Sequence, residues 1–146
     1  MKFSIDVNIF LYATDSENPF HAQSIQFLQK QIAETEECYL VWDTIYAFLR
    51  IATHPTIFEN PLSPKVALAN MKEACEALNA TMLSPDESSW DIFAKLNQQF
   101  PIRGKLVPDA VLASVLETNG ISRIYSHDRD FWKFPFLKPI DPISQK

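Results

Sequence analysis

Glycine is nearly absent: Gly104 and Gly120 are the only two in 146 residues, where average usage would place about ten. A phosphate-cradling loop of the G-x-G-x-x-G or Walker type needs closely spaced glycines, so folds that hold a nucleotide cofactor in this way are excluded. Cysteine is scarce too. Cys38 and Cys75 are too few for a disulfide scaffold and lie in apolar stretches, which suggests buried free thiols in a reducing cytosol. No apolar run approaches about 18 residues, and the N-terminal stretch already meets an acid at Asp6. Neither a membrane span nor a signal peptide is therefore expected, and the cytoplasm is the expected compartment. Bases are outnumbered, with 13 Lys plus Arg against 18 acids and a formal charge of −5. That balance argues against a protein that binds nucleic acid by bulk charge alone, but not against an enzyme that holds cations.

What is present is the rhythm of an α/β fold. Four short apolar runs, Phe3 to Ile5, Cys38 to Val41, Ala80 to Leu83 and Ile121 to Tyr125, alternate with longer helical patterns, and Leu137 to Ile140 offers a fifth strand. A mainly parallel sheet of four to five strands is expected, in a single domain spanning 1–146. Apolar residues at helical spacing, Ala22, Ile25, Leu28 and Ile32, then Ile45, Phe48, Leu49 and Ala52, predict helices over 21–34 and 43–53. Ser63-Pro64 and Ser84-Pro85-Asp86-Glu87 read as helix starts, with Glu87 placed to close a capping box, for helices over 64–79 and 86–99. A further helix is expected after Pro108, with Val111, Leu112, Val115 and Leu116 on one face and Asn119-Gly120 as its stop. No repeat or low-complexity stretch interrupts the chain.

The informative feature is where acids fall. Asp6 closes the first strand, Asp128 follows the strand ending at Tyr125, and Asp109 sits in the first turn of its helix. In an open parallel sheet, ligands bind outside the carboxyl ends of the strands where strand order reverses. If the first and fourth strands are neighbours, the three carboxylates converge, and convergent carboxylates suit a hard divalent ion such as Mg2+ or Mn2+. Each acid taken alone also reads as a helix cap or a first-turn acid favoured by the helix dipole. Asp6 fits that reading least, because it ends a hydrophobic strand where an unpartnered charge is costly.

Three segments resemble the motifs of PIN-domain ribonucleases, and within them the VapC-type toxins of bacterial toxin–antitoxin pairs. They are Ile5-Asp6-Val7-Asn8-Ile9-Phe10-Leu11-Tyr12-Ala13, Val107-Pro108-Asp109-Ala110-Val111-Leu112-Ala113, and Ser126-His127-Asp128-Arg129-Asp130-Phe131 followed by Phe134-Pro135. His21-Ala22 and the run from Phe48 to Pro55, with Pro61-Leu62-Ser63, are similar to one subgroup. The order and spacing of the matches, from residue 3 to about 142, carry the resemblance more than any single motif.

The resemblance implies a three-layer α/β/α, Rossmann-like PIN domain whose acidic cluster binds Mg2+ or Mn2+ and hydrolyses RNA. It implies Asp6 and Asp109 as metal ligands, Asp128 as a third member, Asp130 as a peripheral or water-mediated one, and Asn8 as a polar support beside Asp6. It also implies a small cognate antitoxin as partner and a homodimer; Phe10, Tyr12, Phe20 and the loop around Phe58 either supply apolar surface for such contacts or belong to the core. One position departs from the pattern. Many PIN domains carry a glutamate three residues before an arginine on the helix after the second strand, and here that position is Ala47. Asp43, one turn earlier, shares a face with Ala47 and Arg50; it either reaches the site through a water or caps its helix. Alanine at 47 leaves open a catalytically impaired PIN module that binds or regulates.

For the substrate, Arg50, Lys95, Arg103, Lys105, Arg129 and Lys133 are the candidate phosphate contacts. The charge is also uneven, with 9 acids and 5 bases in residues 1–73 against 9 and 8 in the rest. Trp42, Trp90 and Trp132 invite base stacking, although Trp90 pairs in spacing with Phe93 and reads as packing. His127 reads as structural or an RNA contact. A haloacid-dehalogenase-type phosphatase would need an aspartate where Asn8 stands, and a response-regulator receiver would need an acidic pair that the sequence lacks.

Overall fold

The computed structural model describes residues 1–143. Five strands, β1 (Lys2–Ile5), β2 (Glu37–Val41), β3 (Thr81–Leu83), β4 (Arg123–Tyr125) and β5 (Lys138–Ile140), form one sheet in the order β3-β2-β1-β4-β5. Every pairing is parallel. The order reverses between β1 and β4, which pair from Phe3 with Arg123 to Ile5 with Tyr125. The adjacency on which the convergence of acids depended is therefore present, and the switch point lies where Asp6 and Asp128 leave the sheet.

Helices α1 (Val7–Thr14), α2 (His21–Ala33), α3 (Trp42–Ala52), α4 (Pro64–Ala77), α5 (Glu87–Gln99) and α6 (Leu106–Thr118) complete the layers. Phe3 and Ile5 point to one side of the sheet, into a core closed by Ile9 and Phe10 of α1, Phe27 of α2, Ile45 and Phe48 of α3, and Met71 of α4. Ile124 points to the other side, into a second core built from Leu96 of α5, Leu112, Val115 and Leu116 of α6, and Phe131 and Phe134. The alternation of side chains along a strand divides them in this way, and two cores about one sheet give the three-layer α/β/α arrangement. Among the described residues, no helix is long and apolar enough to cross a membrane.

Several local expectations need correction. α6 begins at Leu106, not after Pro108. Pro108 is the third helical residue, and the first N–H groups of a helix have no internal partner, so the missing proton there breaks no bond. Gly104, at φ +60, makes the turn into this helix. At its other end Gly120, at φ +70, follows the cap, and the Ile121 amide donates to the Leu116 carbonyl at 2.9 Å, as the Asn119-Gly120 stop implies. The capping box of α5 is closed by Asp86 and Ser89, not by Glu87. Ser63 caps α4 as expected, its hydroxyl accepting from the Val66 amide at 3.2 Å.

On α2 the buried face is Ser24, Phe27 and Gln31, with Ala22 and Ile32 turned to solvent, because Phe27 packs on Tyr125 and fixes the rotation. Of the thiols, Cys38 is buried and Cys75 only half-buried. Phe10 and Phe58 lie in the interior, and Tyr12 and Phe20 pack together with His127, so this set offers little apolar contact surface. Trp90 is not packing either: it is 67% exposed, stacked on Phe93.

Candidate active site

Asp6 is the first residue past β1 and the N-cap of α1. Its backbone N–H still donates to the Tyr125 carbonyl at 2.9 Å, so β4 holds it in place. The side chain is almost fully buried, with Oδ1 accepting from the Val7 amide at 2.7 Å and Oδ2 from the Ser126 hydroxyl at 2.8 Å. Ser126 also accepts from the Asp128 amide at 3.0 Å. The serine thus bridges one acid to the backbone of another. Its role was not anticipated, although its place two residues before Asp128, at the end of a strand, puts both on one side of the extended chain.

Asp128 caps a short 3-10 turn, Arg129–Lys133, its Oδ1 accepting from the Asp130 amide at 2.8 Å. Asp130 lies in the first turn and pairs with Lys133 at 3.3 Å. Asp109 comes from the opposite direction, in the first turn of α6. Carboxylate oxygens of Asp109, Asp128 and Asp130 lie within 4.8 Å of one another. Asp130, expected at the periphery, is therefore in the tightest group, because the 3-10 turn brings it back beside Asp128. Asp6 is tied up by its hydrogen bonds behind that group.

The electrostatics follow from the geometry. Burial above all, with Asp128 nearby, pushes the Asp6 carboxyl from 3.8 up to about 6, against the pull of the Ser126 and Val7 hydrogen bonds. Burial and then the charges of Asp6, Asp128 and Asp130 push Asp109 up to about 7, with Lys105 opposing. Four acids feeling one another with too little positive charge among them are what a bound cation would relieve. The donors are all carboxylate oxygens, the set that hard divalent ions take. The residues present therefore fit such an ion.

A recess of about 60 Å³ opens beside the cluster, lined by Asp6, Val7, Asp43, Thr44, Ala47, Pro108, Asp109 and Leu112. Asp43 does not cap α3, whose N-cap is Val41 without a side-chain bond; it sits in the first turn and faces the recess. Ala47 lies on the same wall. Asn8, in the first turn of α1, acts on the Tyr12 hydroxyl, which Asp6 and Asp128 also influence. His127 Nδ1 donates to the Asp141 carboxylate at 2.8 Å. Of the candidate phosphate contacts, Lys105 is near enough to act on Asp109 and Arg50 is on α3, the helix that walls the recess. Arg103 and Arg129 are exposed residues just before α6 and just after Asp128. Lys133 is paired with Asp130, and Lys95 is remote from the recess, lining a groove with Gln99 and Pro135.

No protein-family model matches the chain. It is 33% identical over 144 residues to Ribonuclease VapC48 of Mycobacterium tuberculosis, covering 99% of both proteins. It is 28% identical over 130 residues to Ribonuclease VapC37 of the same organism, covering 89% of this chain and 90% of that one. Among solved structures, FitAcB from Neisseria gonorrhoeae is similar with a TM-score of 0.72 at 15% identity, over 98% of this chain and 99% of that one. VapBC2 from Rickettsia felis, solved bound to a promoter DNA fragment, is similar with a TM-score of 0.71 at 11% identity, over 97% and 98%. At those identities the structural likeness speaks for the fold.

Proposed function

The chain belongs to the VapC family of ribonucleases, and from that premise we propose that it is an Mg2+- or Mn2+-dependent endoribonuclease, the toxin of a toxin–antitoxin pair. The observation that carries the metal-dependent part is the gathering of Asp109, Asp128 and Asp130 within 4.8 Å, with Asp6 behind them, at the switch point of a parallel sheet. Asp109, Asp128 and Asp130 would hold the cation, and Asp6 would complete its surroundings. When bound, such an ion neutralises charge developing on phosphorus and acidifies a coordinated water.

The remaining work falls to the chain's own groups. Ser126 holds the Asp6 carboxylate and the Asp128 backbone in one fixed relation, so the acids are aimed before substrate arrives. Asp128 orients the attacking water through its carboxylate. Lys105, Arg103, Arg50 and Arg129 hold the phosphates on either side of the scissile bond. Hydrolysis of the phosphodiester adds water across it, and a P–O bond to the ribose breaks.

The partner is a small antitoxin, in line with the VapBC complexes among the structural relatives, and the working form is a homodimer. The test is incubation of RNA with the protein and Mg2+ or Mn2+, beside Asp109→Asn and Asp128→Asn variants. Cleavage that needs the metal and is lost in both variants is the expected result. No cleavage, or cleavage that survives both substitutions, overturns the reading. A second reading rests on Ala47, whose methyl leaves the recess without the acid that many PIN domains place there. In that reading the protein is a binding or regulatory module, and it binds RNA without cutting it.

A further inference from the structure

We propose that the exposed face of α3 bearing Trp42, Tyr46 and Arg50 is a stacking track for the bases of an unpaired RNA segment entering the acid cluster. The proposal rests on the nuclease reading for its substrate class and adds the residues that position that substrate. Trp42 is 41% and Tyr46 65% exposed, and their rings lie side by side with centroids 6.3 Å apart and planes 33° from parallel. They stand one turn apart on one helix, and Arg50 follows Tyr46 by another turn, so the three form a continuous stripe. The core has no use for these rings. α3 already buries Thr44, Ile45, Phe48 and Ala52 on its inner side, and two large aromatics left in water outside that stripe are a feature needing an explanation.

Their position supplies it. Asp43 and Ala47, each the residue after one of the aromatics, line the recess with Asp6 and Asp109. Successive residues are about 100° apart around a helix, so the aromatic stripe is the face adjoining the wall of the active site. Arg50 falls between the two in angle. A backbone with its phosphate at the acid cluster would have flanking bases within reach of the rings and a neighbouring phosphate within reach of the guanidinium, which engages phosphate oxygens through paired N–H donors. Base–aromatic stacking tolerates any sequence because every base presents a π-face. Aromatic rings and an arginine also suit a protein interface; what assigns this face to RNA is its place beside the recess that Asp6 and Asp109 line.

The test uses the full chain carrying Asp109→Asn, to prevent cleavage, with Trp90→Phe and Trp132→Phe so that Trp42 is the only tryptophan. A 12-nucleotide mixed-sequence RNA is titrated in as a single strand and as a duplex. The single strand is expected to quench Trp42, the duplex to bind at least tenfold more weakly, and Tyr46→Ala to weaken single-strand binding about tenfold. In the cleaving wild type, Trp42→Ala should raise KM about tenfold with kcat within threefold, and Trp42→Phe should restore most of it. Unchanged affinity in Tyr46→Ala, equal quenching by duplex, or an unchanged KM in Trp42→Ala overturns the proposal. So does a change of oligomeric state in these variants without a change in RNA affinity, which would assign the face to a protein contact. Quenching by single strands in a wild type that cuts no RNA would sink the nuclease reading and leave this one standing.

Discussion

Replacing Asp6 with asparagine should stabilise the metal-free protein at high pH while removing the function the site is built for. The Asp6 carboxyl is pushed from 3.8 to about 6 in the fold, and one pKa unit is worth 1.36 kcal/mol, so holding it ionised costs about 3 kcal/mol. Between those two values the folded state binds more protons than the unfolded one, and stability therefore falls as pH rises through that window. The cost is small near pH 4 and complete above about pH 7; between pH 5 and 8 the loss from Asp6 alone is about 1.4 kcal/mol. Asp109, half-exposed and pushed up to about 7, adds to the same trend, weakened by solvent screening.

In the Asp6→Asn variant the amide oxygen can still accept from Val7, and the amide N–H can donate to Ser126 Oγ. The serine proton then loses its acceptor, at a cost of about 1 kcal/mol. The net gain is about 2 kcal/mol at pH 8, shrinking by about 1.4 kcal/mol at pH 5. Urea unfolding of both proteins in EDTA at the two pH values measures it directly. A saturating divalent ion should narrow the gap, because binding at a hundredfold above Kd adds about 2.7 kcal/mol to the wild type, and the variant, which keeps Asp109, Asp128 and Asp130 but not Asp6, gains less. A variant no more stable than the wild type at pH 8, or an advantage that does not grow with pH, refutes the reasoning about a buried, uncompensated acid.

Ser126→Ala should lower cation affinity and RNA cleavage by about 10- to 100-fold with the fold intact, read by metal titration and initial rates, since it frees Asp6 and the Asp128 amide together. Gly104→Ala should destabilise by about 1–2 kcal/mol, because the site is open to a methyl group but φ is +60, so only backbone strain is added; thermal unfolding checks it. Ala47→Glu should tighten cation binding in a calorimetric titration and lower metal-free stability at pH 8, as a fourth acid joins Asp6, Asp43 and Asp109 on the recess wall. Unchanged affinity there would mean that the recess does not communicate with the cluster.

The parts of the fold legible in the sequence were those set by local chemistry. Strand runs, the Ser63-Pro64 start and the Asn119-Gly120 stop each depend on a few neighbouring residues, and each stands where expected within a residue or two. The rotation of α2 was not legible in this way, because Ala22 and Ile32 satisfy a helical period as well as Phe27 and Gln31 do, and contact with Tyr125 decides between them. The start of α6 at Leu106 was not legible, because the apolar stripe begins only at Val111 and a proline is harmless anywhere in the first turn. At the site, Asp6, Asp109 and Asp128 came from their positions at strand ends and a helix start. Asp130 and Ser126 needed the turn after β4, whose 3-10 geometry has no strong signature in Arg129-Asp130-Phe131.

The two states of Asp6 and its neighbours divide the labour among the acids in a way that composition alone would hide. A carboxylate with both oxygens already accepting hydrogen bonds, buried behind the others, is fixed in direction but less free to turn toward a ligand. Asp109, Asp128 and Asp130 are half-exposed and within reach of one another, and in the proposed function they are the ones that would meet an incoming ion. Burial raises the energy of Asp6 without metal, and the same burial strengthens its attraction to a cation once one arrives. The residue therefore acts most strongly on the difference between the empty and loaded protein. Ala47 sharpens this: with a methyl group at that place on the α3 wall, the proposed difference would come from the four acids of the cluster, with Asp43 of α3 as the further carboxylate lining the recess among the described residues.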